Sequence, residues 1–131
     1  MMASRAKDWL RQAKRDLSHA EEDAKIGFYE WACFSAQQAA EKAVKALFQH
    51  LHAQAWGHSI TTLIRGMIDS YPEAKELLSV GKKLDKYYIQ PRYPNGFDEG
   101  TPEDYFTEED ALEAITNARR IIDFCGNRIP E

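Results

Sequence analysis

Cysteine is nearly absent from this chain: only Cys33 and Cys125 occur, and they fit no metal-ligand spacing. A disulfide scaffold and a thiolate metal site are therefore not expected, and both residues, lying on helical stripes, read as reduced core thiols. Proline and glycine are also scarce, 5 and 7 in 131 residues, and most stand between candidate helices. No segment alternates polar and apolar residues with period two, which argues against a sheet. Long apolar runs are missing. The longest uncharged stretch, Ala46 to Ile64, holds three histidines, two glutamines and a glycine and is too polar to span a bilayer. The opening Met-Met-Ala-Ser-Arg-Ala-Lys-Asp has no signal-like apolar core, so a cytoplasmic protein is expected. There is no glycine-rich phosphate loop, no His-Glu-x-x-His, no Cys-x-x-Cys and no Gly-x-Ser-x-Gly. The acidic stretch after Asp98 lacks the spacing of a calcium loop. No metal, no cofactor and no catalytic residue is assigned from the sequence.

What is present is helical periodicity. The length suits one domain over residues 1–131, and a chain of this size buries roughly two-thirds of its unfolded surface without staples. Ala6, Leu10, Ala13, Leu17, Ala20 and Ala24 form a bundle-type seam, so a first helix is expected from about Ser4, its N-cap, to Ala24. A short connection at Lys25-Ile26-Gly27 favours an antiparallel second helix, from about Phe28 to His52. Ser59 is placed to cap a short helix reaching Asp69. Pro72 suits the first turn of a fourth, carrying Leu77, Leu78, Leu84, Tyr88 and Ile89, with Gly81 as a place to bend. After a loop rich in proline and glycine, Thr107 caps a last helix whose acidic first turn favours the helix dipole. The expected fold is all-α: an up-and-down antiparallel bundle of four long helices plus one short helix.

The net charge of −4 is unevenly spread. Eight acidic residues and no Lys or Arg lie between Asp98 and Glu113, which leaves seventeen basic and thirteen acidic side chains elsewhere. Basic groups gather at Arg5, Lys7, Arg11, Lys14 and Arg15, and again at Lys82, Lys83, Lys86 and Arg92. These read first as solvated helix faces; a polyanion could use them, and the acidic edge would repel RNA.

Residues 31 to 47 carry the most information. Six of the seventeen are alanine, so other backbones can approach closely. Ala36, Ala40, Ala43, Val44, Leu47 and Leu51 make one broad apolar face, while Phe34, Glu41 and Phe48, seven apart, lie on the other side. Two phenylalanines on a polar face suggest a second contact surface. Trp31, Phe34, Glu41 and Phe48 are accordingly assigned to a subunit interface, with Glu41 and Lys45 in the favourable i, i+4 order.

Three segments together carry a family resemblance: Trp31-Ala-Cys-Phe-Ser-Ala-Gln-Gln-Ala-Ala-Glu-Lys-Ala, Gly57-His-Ser-Ile, and Leu84-Asp-Lys-Tyr-Tyr-Ile-Gln-Pro-Arg-Tyr-Pro. With the opening Ala6-Lys-Asp-Trp-Leu and the late alanine-rich helix, nearly the whole chain resembles the HEPN family. The resemblance implies a compact helical bundle, commonly a homodimer, working beside a small nucleotidyltransferase. Ribonuclease members of that family carry an arginine followed, after four to six residues, by a histidine, and two such sites meet across a dimer. Arginine there stabilises phosphate charge and histidine moves a proton. This chain departs from the pattern. None of His19, His50, His52 and His58 follows an arginine at that spacing, and no histidine follows Arg92 before Glu99. The tyrosine-bearing extension of the motif is missing with it.

What remains is Asp85, Tyr88, Arg92 and Tyr93, with His58 at a helix start. A guanidinium flanked by tyrosines can bind phosphate while a ring stacks on a base. The competing reading pairs Arg92 with Asp85 or Asp98, as a pin for the long loop. The sequence thus points to a non-catalytic, nucleotide-binding, homodimeric module with a nucleotidyltransferase partner. A divergent RNA-cleaving toxin-type ribonuclease using Arg92 is the alternative.

Overall fold

The computed structural model describes residues 4–130. It is all-helical, with α1 (Ala6–Lys25), α2 (Tyr29–His50), α3 (Ile60–Met67), α4 (Leu78–Asp85) and α5 (Glu108–Gly126). Helix α2 is the centre: it packs against α1 on one side and α5 on another, and also meets α3 and α4. Its alanines explain how. Ala32, Ala36, Ala39, Ala40, Ala43 and Ala46 are all fully buried, so neighbours close in from several directions at once. Bulk is supplied by Leu47, Ile60, Ile64, Met67, Leu84 and Ile121. Each such side chain contributes roughly 1.5–3 kcal/mol by leaving water.

Local chemistry sets the ends. Ser4 is not the N-cap of α1; Arg5 is. Ser4 Oγ instead accepts from the Ala6 N–H at 3.0 Å and donates to the Gln49 carbonyl at 3.2 Å, tying the start of α1 to the end of α2. Helix α2 closes at a left-handed His52 (φ 54°), with the Ala53 N–H on the Phe48 carbonyl and the His52 N–H on that of Gln49. That is a Schellman closure built without glycine. Ser59 caps α3, accepting from the Thr62 N–H, and Thr107 and Asp110 exchange reciprocal cap bonds at the start of α5. The acidic loop is built in the same way, with the Thr101 N–H on Asp104 and the Tyr105 hydroxyl donating to the Glu99 carbonyl.

The fourth helix is shorter than expected. Pro72–Leu77 winds as a 3-10 helix, and α4 ends at Asp85, so Tyr88 and Ile89 lie in turns beyond it. Gly81 lies inside α4. It lets α3 approach α4, because a Cβ there would meet Ile64 at 3.2 Å and Ile60 at 3.3 Å. No helix among the described residues is long and apolar enough to cross a membrane, and none of their acidic, histidine or cysteine side chains cluster as a metal site.

Cys33 and Cys125 are fully buried free thiols, and burial pushes each from its ordinary 9.0 up to about 12. The neutral thiols' contribution is therefore intact below pH 9 and is lost as pH rises toward 12, because the unfolded chain ionises first. Urea titrations at about pH 8 and about pH 10 are expected to differ by about 2–3 kcal/mol, the more alkaline being less stable, with most of the loss removed in a Cys33→Ala, Cys125→Ala variant compared with itself.

Candidate functional site

The side chains of interest converge where the loop after α2 enters α3 and the chain leaves α4. Gly57 adopts a positive φ of 81° and turns the loop so that His58 comes against α2. His58 Nδ1 lies 3.1 and 3.2 Å from the two carboxylate oxygens of Glu41, a residue 4% exposed. The same carboxylate receives Lys45 at 3.1 Å and the amide of Gln37 at 3.3 Å; Gln37 also donates to the His58 carbonyl. Glu41 is thus a buried hub, and its negative charge is balanced by Lys45 and by the histidine contact.

The His58 ring stacks on Tyr88, centroids 4.5 Å apart and planes 16° from parallel. Tyr88 in turn leans toward Phe34, and Arg92 completes the cluster. The Arg92 Nε donates to the Tyr88 carbonyl at 2.8 Å. Its guanidinium carbon stands 4.5 Å from the Phe34 ring centre, 4.8 Å from that of Tyr88 and 5.1 Å from that of Tyr93. Three rings and a carbonyl therefore hold this cation by quadrupole and dipole. Among the described residues no carboxylate pairs with it, neither Asp85 nor Asp98.

Asp85 is engaged elsewhere. Its Oδ1 accepts from the Ile60 N–H at 2.6 Å, and its Oδ2 from the Thr61 N–H at 3.1 Å and the Ser59 hydroxyl at 3.2 Å. It caps α3 from outside that helix, where the exposed N–H groups and the dipole favour an anion. Of the expected ligand residues the fold thus joins Tyr88, Arg92, Tyr93 and His58, and gives Asp85 a structural task. A shallow hollow of about 280 Å³ beside them is lined by His58, Asp85, Tyr88 and Ile89.

The stripe assigned to a subunit interface is largely covered by its own chain. Phe48 lies across Gly66 of α3, Glu41 is the hub just described, and Phe34 is the floor beneath Arg92. Trp31 remains 43% exposed and meets Phe34 edge-on at 6.2 Å. Gln37 went unnoticed in the sequence. The available signal was its spacing, three after Phe34 and four before Glu41, which marks a polar row along one side of α2.

A helical bundle that presents an arginine on a bed of aromatic rings, backed by an exposed histidine held on a buried glutamate, is the class the fold and site define. The HEPN domain model matches residues 6–128, and the chain belongs to the HEPN domain family. Solved relatives agree. TT1696 from Thermus thermophilus is 41% identical with a TM-score of 0.92, over 95% of this chain and 98% of that one. ST0689, described as an archaeal HEPN homologue, is 42% identical with a TM-score of 0.81, over 98% of this chain and all of its own. A more distant relative, 28% identical over 96% of this chain and 89% of its own length, is the Methanocaldococcus jannaschii protein named Putative toxin MJ1304.

Proposed function

We propose that this chain is a homodimeric HEPN module that binds the phosphate of a nucleotide at Arg92 and works beside a small nucleotidyltransferase. One observation carries the reading: a half-buried guanidinium held by aromatic rings and a carbonyl, with no carboxylate partner among the described residues. Such a cation retains its charge for an incoming anion, and the flanking tyrosines offer faces for a base. The exposed aromatic side chains of Trp31 and Tyr93, joined through Phe34 and Arg92, support a second copy packing beside the site. The nucleotidyltransferase partner rests on family membership alone.

Calorimetry with ATP and GTP on wild type and Arg92→Ala tests the reading. Binding by wild type that weakens at least tenfold in the variant is expected, roughly 1.4 kcal/mol or more. Silence in both proteins would return Arg92 to a structural role.

A second reading, RNA cleavage, is favoured by the His58–Glu41 pair. A buried carboxylate on Nδ1 orients the imidazole and leaves the other ring nitrogen to move a proton. The relative named as a putative toxin is in keeping with it. Incubation with mixed RNAs decides: cleavage abolished in both His58→Ala and Arg92→Ala would favour this reading over the first.

A further inference from the structure

Helix α1 is divided in charge. Arg5 to Arg15 hold five basic side chains and one acidic, whereas Asp16 to Lys25 hold four acidic and one basic. The basic half lies at the helix N-terminus, where the dipole favours anions, so Arg5 and Lys7 work against it. Lys7 with Arg11, Arg11 with Lys14 and Arg11 with Arg15 are like-charge neighbours at helical spacing, which also disfavours the helix. Helix stability does not explain this arrangement.

The structure places these cations around a concavity. A hollow of about 860 Å³ is lined by Trp9, Arg11, Lys14 and Arg15 of α1 and by Lys42 of α2. The acidic groups nearby are already paired, Asp8 with Arg5 at 3.2 Å and Asp16 with Lys42 at 2.6 Å. Among the described residues Arg11, Lys14 and Arg15 have no carboxylate within ion-pair distance, and all three are exposed. Trp9 also lines the next hollow, of about 260 Å³, which Trp56 lines as well. Trp56 is 77% exposed, a large apolar side chain that the core does not use. Cations beside one exposed indole, and a second that is partly buried but lines both hollows, suit a ligand that carries both phosphates and unpaired bases.

We propose that the basic half of α1, with Trp9 and Trp56, binds a single-stranded nucleic acid. The cations follow the backbone and the indoles stack on bases, whereas a duplex would offer phosphates without accessible base faces. The surface is separate from the Arg92 cluster, so it stands or falls independently of the nucleotide reading. Trp56 is nevertheless only two residues from His58, and a strand seated on the indole would lie along the loop that carries the histidine.

Fluorescence anisotropy with a labelled oligouridylate tests the proposal, alongside an oligothymidylate and an RNA duplex of equal length. Wild type is expected to bind the single strands and, with three phosphates neutralised, to weaken about 20-fold between about 50 and about 200 mM salt. A variant carrying Arg11→Glu, Lys14→Glu and Arg15→Glu is expected to lose that binding, while Arg92→Ala retains it. Trp56→Ala, at an exposed position that leaves the fold intact, is expected to weaken it about fivefold or more. Preference for uridylate over thymidylate would make the ligand RNA; equal affinity would make it either nucleic acid, and both results uphold the site. Three results would overturn it: no binding of single strands, equal affinity for the duplex, or displacement by polyglutamate with Trp56→Ala behaving as wild type. The last would assign the surface to an acidic protein.

Discussion

Asp85→Ala is expected to lower the unfolding free energy by about 2–4 kcal/mol, read from urea or thermal melts. The reason is a carboxylate that accepts two backbone N–H groups and a hydroxyl at the first turn of α3. Ile60 is fully buried and Thr61 nearly so, so water cannot easily replace the lost acceptor. The Thr61 hydroxyl already lacks a hydrogen-bond partner, which makes this turn sensitive to any further unmet group. Asp85→Asn keeps an acceptor oxygen but not the charge and should recover part of the loss. If Asp85 served mainly as a ligand residue, Asp85→Ala would leave the melting curve in place and change binding alone. Equal stability in wild type and variant would therefore return Asp85 to the binding site.

Glu41→Ala is expected to be at least as damaging, at about 3–5 kcal/mol, because it leaves a largely buried cation without its partner. Lys45 loses its only ion-pair partner among the described residues, and the fully buried Gln37 loses an acceptor. Glu41→Leu, which fills the volume but still strands Lys45, should remain destabilised. The double variant Glu41→Leu, Lys45→Leu removes both charges and should recover most of the loss. A double-mutant cycle with no coupling between positions 41 and 45 would contradict this account of the hub. The consequence extends to function, since His58 is held by Glu41 and stacks on Tyr88, whose carbonyl holds Arg92. Chemical shifts of the His58 and Tyr88 rings should move in Glu41→Gln even where the fold survives.

Much of the helical frame could be read directly. The four-and-three spacing from Ala6 to Ala24 and the alanines of α2 identify buried faces, and in α1 and α2 those residues are buried, apart from Leu10, which is partly buried. Ser59 and Thr107 announce their helices because a hydroxyl before an apolar periodic segment satisfies a free N–H. Arg92 and its tyrosines were visible as a cluster because they are neighbours in sequence. The fourth helix was less legible. Its apolar pattern continues to Ile89, but the α-helix stops at Asp85, whose side chain turns to α3.

Sequence by itself determined the all-helical class, the buried faces of α1 and α2, and the family, since each depends on local periodicity or on contiguous motifs. Only the tertiary structure decided what the polar side of α2 does. Phe34, Gln37, Glu41 and Phe48 share a stripe that a lone helix would offer to any partner, and heptad spacing cannot say which. The loop carrying His58, the turn carrying Arg92 and the backbone of Gly66 cover it from within the chain. Those contacts join residues far apart in sequence. They depend on how the helices are placed, which periodicity along one helix does not encode.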